Sequence, residues 1–456
     1  MTGLAFALLL TASLAGYMMN RRAALALREG GARLHSLGMF HGLYALLVVL
    51  VPAFVVTILW IMLEGSVINA LTLSGLPDGV LADAANPQLV LTEIQSISGG
   101  RVFGTPEPYM LDAADRMNGL RTLSGWLLVA TVALLSAGLL FMSRRQVSAD
   151  FRARQAAERI VMGLMITCSL IAIFVTIGIV LSLIFESIRF FQMVPITDFL
   201  FGTRWEPQIP IRADQIAAEG AFGVLPVFLG TLVITVVAIS ISVPVGLLSA
   251  IYLNEFASRS FRAVAKPVLE LLAGIPTVVY GFFAILTVAP ALRSWGAALG
   301  IPVAPNTALA AGGVMAIMLI PFISSFADDA LSAVPRSLRD GAIALGATRS
   351  ETVLNVLFPA AIPGIMGGVL LAVSRAIGET MIVVMAAGLI ASMNINPLDS
   401  VTTITVQIVT LLIGDTAFDS PKTLAAFALG LLLFIVTLFI NILALRIVRK
   451  YREQYD

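Results

Sequence analysis

Residues 336–379 read R-S-L-R-D-G-A-I-A-L-G-A-T-R-S-E-T-V-L-N-V-L-F-P-A-A-I-P-G-I-M-G-G-V-L-L-A-V-S-R-A-I-G-E. The first half, to Phe358, is polar to amphipathic and lies between two strongly apolar runs. In a membrane-spanning chain such a segment forms a loop exposed on one aqueous side. Gly341, Ala342 and Ala344 allow another surface to approach closely, and Gly346 allows a sharp turn after one or two helical turns. Thr348 and Glu351 are spaced as a capping box that starts a second helix. Val353, Leu354, Val356 and Leu357 supply that helix with an apolar face. By spacing alone two readings stay open: a docking surface for a partner, or a capped interfacial hairpin without one.

Working outward, the chain has 456 residues, 59% apolar and 12% charged, with mean hydropathy +0.97. No soluble fold hides that much apolar surface, so the solvent for most of the chain is lipid. Nine apolar runs approach the roughly 20 residues that a bilayer core requires. They lie near 2–20, 40–63, 123–142, 160–185, 222–254, 268–292, 307–327, 361–391 and 423–445. The fold class is therefore an all-α membrane protein with about nine transmembrane helices. The first run has no basic residue before it, while Arg21 and Arg22 follow it. This suits an uncleaved helix with its N-terminus outside better than a signal peptide. A net charge of +1 offers nothing for nucleic acid. Cys168, the single cysteine, reads as a small buried residue, and His35 and His41 lack the cysteines or carboxylates of a metal site.

Basic residues set the orientation. With the C-terminus inside, nineteen fall in inner loops and eight in outer ones, and Arg375 alone lies within a span. That asymmetry places the Asp340 loop in the cytoplasm. The chain divides into residues 1–159, with three helices and an outer segment at 64–122, and residues 160–456, with six helices and a cytoplasmic loop at 328–360. The outer segment mixes charges, among them Asp78 and Asp83, and carries no readable motif. Residues 143–159 form a basic connector suited to lipid headgroups.

Arg375 and Glu379 are the only charges deep inside a span. Each costs at least about 2.5–3.5 kcal/mol there unless paired or wetted. Four residues apart, they share one helical face and can pair. One reading is an ion pair that makes the helix insertable; the other is a polar path in which the guanidinium meets an anion and Glu379 orients it. Gly274, Pro276 and Gly281 in L-A-G-I-P-T-V-V-Y-G read as a proline kink or as a helix break that opens a cavity. Asp328, Asp329 and Glu255 read as solvated helix ends. No G-x4-G-K-[ST] occurs, so ATP binding by a P-loop is excluded for this chain.

The loop matches the pattern E-A-A-x3-G-x9-I-x-L-P in register from Asp340 through Gly346 to Pro359, with Asp340, Gly341, Val356 and Phe358 as departures. In this it resembles the binding-protein-dependent ABC importer permeases. F-G-V-L-P-V-F-L-G-T-L-V-I-T from Phe222, V-L-E-L-L-A-G-I-P-T-V-V-Y-G-F-F-A and S-R-A-I-G-E-T-M extend the likeness. Together they are similar to the phosphate-transport branch, and G-E-T-M to its PstC-type member. The likeness is dense over 222–391 and absent over 1–159.

The resemblance implies a six-helix permease core preceded by three additional helices. It implies a loop, Asp340, Gly341, Ala342, Gly346 and Pro359, that seats in a cleft of a separate PstB-type ATPase dimer, which carries the ATP and Mg. It further implies a PstA-type second permease, an extracytoplasmic PstS-type phosphate-binding protein, phosphate as substrate and the bacterial inner membrane as location. The family's R-x3-E pair falls on Arg375 and Glu379. No catalytic residue, cofactor or metal is expected in the chain itself. A permease for sulfate or molybdate is the near alternative, and an ion-coupled secondary carrier a more distant one.

Overall fold

The computed structural model describes residues 1–76, 87–101, 106–207, 220–413 and 419–451. Asp78, Asp83, Arg212 and Arg452 lie outside the described residues. Nine helices among the described residues are long and apolar enough to cross a membrane. Backbone groups have no water to bond in the bilayer core, which is why the spans are helical. Among the described residues the all-α expectation holds apart from one two-residue antiparallel ladder, β1 (Trp205–Glu206) on β2 (Ala221–Phe222). The chain forms two compact units, Met1–Phe174 and Val175–Asp456. The division falls inside a helix, beyond the basic connector at 143–159.

In the first unit α1 (Thr2–Glu29), α2 (Gly38–Leu73) and α4 (Pro108–Arg145) bundle around Ala5, Leu9, Ala53, Leu128 and Val132. Small residues set the close approaches, Gly42 lying against Tyr17, as expected where helices associate by packing without a hydrophobic drive. α3 (Pro87–Ser98) caps the bundle with Ile94 buried against Ile68, Met110 and Met117. The long α5 (Ala153–Met193) has no buried residue across its apolar window. Cys168 lies on it and is exposed, contrary to the expected burial, because that stretch of helix has no packed face.

In the second unit, after the short α6 (Ile196–Phe201), α7 (Leu225–Ile251) runs against α11 (Ala308–Ser332). Their core holds Ile234, Ala238, Met315, Leu319 and Ile323. α14 (Phe358–Ile377) adds Ala372 and Ala376 to the same cluster. A separate aromatic cluster of Phe190, Phe199, Trp205 and Phe222 packs on α17 (Pro421–Tyr451), with edge-to-face rings 5.5–6.2 Å apart.

Two spans differ from the sequence reading. The run at 268–292 is interrupted: α8 (Arg259–Ala273) stops, and α9 (Thr277–Phe283) starts after Pro276, continuing through a π-helical turn into α10 (Ala289–Leu299). The run at 361–391 is likewise not one helix. It ends at Ile377, resumes as the short α15 (Met381–Ala386), and a loop then leads to α16 (Ile404–Leu412). Gly281 of α9 lets these interrupted segments touch, since a Cβ there would lie 2.6 Å from Met385 Sδ and 3.2 Å from the Met381 carbonyl oxygen. The thioether can move and the carbonyl cannot. Gly281→Val should therefore cost about 1–3 kcal/mol by overpacking, read as a lower thermal midpoint of the detergent-purified chain.

Candidate functional site

The Asp340 loop is two short helices around a tight turn. α12 (Arg336–Ala344) begins after Pro335, and none of its residues is buried. Gly346 follows it at φ +89°, a conformation that glycine adopts without a Cβ penalty. The Gly346 amide donates to Ile343 O at 2.9 Å and the Ala347 amide to Ala342 O at 3.1 Å, the double bond of a Schellman turn. α13 (Arg349–Thr352) starts on the expected capping box: Thr348 Oγ1 accepts from the Glu351 amide, and Glu351 Oε2 accepts from the Thr348 amide at 2.8 Å. Val353 and Leu357, on a π-helical turn, then anchor the loop in a core with Ala327 and Leu331. Leu354 points outward.

The loop's outer face is bare. A Cβ on Gly341 would meet nothing within 4 Å, and Leu345, beside the turn, is 92% exposed. An isolated apolar side chain held out by a rigid turn suits insertion into a cleft. The sequence reading had not singled out Leu345, whose exposure depends on the left-handed Gly346 after it.

At the broken span, Arg375 lies in the last turn of α14, where the helix C-terminus favours a cation. Its side chain is exposed, with Cζ 6.0 Å from the Phe322 ring centroid, and it has no ion pair among the described residues. Glu379 lies beyond the helix end. Its Oε1 accepts from the Met381 amide at 3.1 Å and its carbonyl oxygen from Thr405 Oγ1 at 2.8 Å. The shared helical face and Arg375–Glu379 pairing inferred from the four-residue spacing are thus not found, because the helix stops between the two residues. Glu379 is engaged at the start of α15.

Gly274 and Pro276 mark a true break between α8 and α9. Tyr280 Oη donates to Leu272 O at 2.7 Å, a carbonyl at the end of α8 that also accepts from the Ile275 amide at 3.3 Å. Gly281 serves the contact with α15. Beside Glu379, Thr402, Thr403, Thr405 and Gln407 are buried. Gln407 accepts from Trp205 Nε1 at 2.8 Å and donates to Thr402 Oγ1 at 3.0 Å, pinning β1 to α16. Sequence reasoning missed this group; its signal is the V-T-T-I-T-V-Q alternation at 401–407.

Asp328 and Glu255 are not solvated ends. Asp328 is buried and receives Arg262 at 2.8 and 3.0 Å, Lys266 at 2.6 Å and Asn254 Nδ2 at 2.6 Å. Its carboxylate holds the Lys266 ammonium above its usual range. Glu255 pairs with Arg339 of α12. Asp329 is exposed, as expected. Asp328→Asn removes the charge that balances two cations. Breaking a buried pair costs about 3–5 kcal/mol, and roughly 2 is expected here, because Arg262 and Lys266 are 35% and 34% exposed. Thermal unfolding in detergent measures it.

Residues 242–453 match the family described as binding-protein-dependent transport system inner membrane component. A probable ABC transporter permease of Bacillus subtilis is 33% identical over 289 residues, 63% of this chain and 89% of that protein. The chain belongs to this permease family. A phosphate transport system permease protein of Xylella fastidiosa is 33% identical over 55% of this permease and 80% of that protein. A solved bacterial alginate ABC transporter covers 66% of the permease at 16% identity and TM-score 0.46. Residues 6–175, where the sequence reading found no likeness up to residue 159, match a family described as phosphate ATP-binding cassette transporter. The permease is thus a multi-pass inner-membrane transport subunit, and its family is not enzymatic.

Proposed function

We propose that this chain is the membrane-spanning permease subunit of an ATP-driven phosphate importer, lining the path together with a second, PstA-type permease. The observation that carries this reading is the guanidinium of Arg375, in the last turn of a broken span and without a carboxylate on it among the described residues. Its planar donors suit a tetrahedral oxyanion, and ionisable side chains within a span mark substrate and ion pathways. Relatives named as phosphate permeases support the choice of anion.

On this reading Asp340, Gly341, Ala342, Leu345, Gly346 and Pro359 seat on a PstB-type ATPase dimer that binds ATP and Mg. A PstS-type binding protein delivers phosphate from outside. The excess of basic residues in one set of loops supports an N-terminus outside and a C-terminus in the cytoplasm. Mild-detergent purification should bring down a permease, an ATPase and a binding protein. The reconstituted complex should then accumulate labelled phosphate only with ATP, with a proton ionophore having no effect. Uptake by the isolated chain under a proton gradient would overturn the proposal.

A further inference from the structure

The helix taken above to meet the ATPase buries nothing of its own, so its hold on the membrane body is polar. Arg339, at mid-helix, pairs with Glu255, whose side chain is only 9% exposed against 34% for Arg339. Glu255 belongs to the π-helical turn Tyr252–Phe256 that ends α7. A π turn inserts a residue into the helical repeat and re-aims the side chains that follow, and such turns gather at functional sites. Adjacent residues of this turn reach different elements. Glu255 takes α12, while Asn254 Nδ2 donates to Asp328 Oδ1 at 2.6 Å and Ser332 Oγ at 2.8 Å, both on α11. Asp328 in turn gathers Arg262 and Lys266 of α8. Farther along α11, Phe322 lies against Arg375.

We infer that Glu255 and Asn254 are the positioning residues that convert displacement of α12 into displacement of α7 and α11, and through Phe322 into a change of setting for Arg375. This rests on the reading of the 336–359 segment as the ATPase contact. Without the Glu255–Arg339 tether, α12 follows the ATPase while the membrane helices stay behind. Hydrolysis then continues without transport.

The test uses Glu255→Gln, which keeps shape and removes charge, and the exchange Glu255→Arg with Arg339→Glu. In the purified chain without partners, Glu255→Gln should raise amide hydrogen exchange across 336–344. In the full complex in lipid vesicles it should lower phosphate taken up per ATP hydrolysed by about tenfold, the scale of one charge-assisted hydrogen bond. The ATPase should still co-purify, and the exchanged pair should restore most of the ratio. A loop that only needs the pair for folding would instead lose the ATPase and hydrolysis together, which overturns the inference. So would unchanged exchange, or raised exchange with an unchanged ratio. If Glu255→Gln fails to accumulate, Arg339→Gln breaks the same contact from its exposed side and is held to the same outcomes. Should the wild-type complex show no ATP-driven uptake while exchange still responds, the importer reading falls and the tether itself stands.

Discussion

Arg375→Ala should lower phosphate uptake by roughly 10- to 150-fold, the range for losing one charge-assisted hydrogen bond of about 1.5–3 kcal/mol. A bidentate grip would push the loss to the upper end. Assembly should survive, because Arg375 is exposed and bonds no carboxylate among the described residues. Removing it therefore strands no counter-charge. Arg375→Lys keeps the charge but loses the planar fork, and should retain part of the uptake. Glu379→Gln keeps an oxygen that can accept from the Met381 amide, so its effect on folding should be small. Transport of labelled phosphate into vesicles, normalised to co-purified complex, reads all three. Loss of the complex with Arg375→Ala would give that residue a structural role instead.

Gly346→Pro should abolish ATPase co-purification and reduce uptake to background. Proline holds φ near −65°, whereas Gly346 needs +89°, and the substitution also removes the amide that bonds Ile343 O. The turn cannot form, so α12 and the exposed Leu345 leave their places. The membrane body should remain intact, because no residue of α12 is buried. Gly346→Ala should be milder, at about 1–2 kcal/mol for a left-handed alanine. Asparagine should be tolerated better, since its short side chain bonds locally in that region. Pull-down of the ATPase through a tag on this chain, together with the thermal midpoint of the chain alone, separates lost docking from lost folding.

Much of the Asp340 loop was legible because its determinants are local. The Thr348–Glu351 box needs only a three-residue spacing, and the Gly346 turn needs only the absence of a Cβ. The break after Ile377 was not legible. Apolar character continues through Met381–Ala386, so hydropathy reads one span where the backbone makes two pieces. The interruption at Gly274–Pro276 was marked by residue type, but only the structure shows that the chain stops there rather than kinks, with α9 starting after Pro276 and Tyr280 reaching back to the Leu272 carbonyl. Asp328 was misread for a related reason: its partners Arg262 and Lys266 lie more than sixty residues away and look, in sequence, like basic residues of an ordinary loop.

By itself, the sequence determined that the chain lives in lipid, spans it about nine times and offers a small-residue turn between two spans. Those properties follow from transfer free energies and from bonds closed within a few residues. Tertiary structure alone decided that Arg375 and Glu379 form no ion pair, that Glu255 pairs with Arg339 of α12 and that Asp328 gathers two cations. Each of these turns on where distant helices stop and meet, and a buried charge finds its partner by proximity in space rather than along the chain.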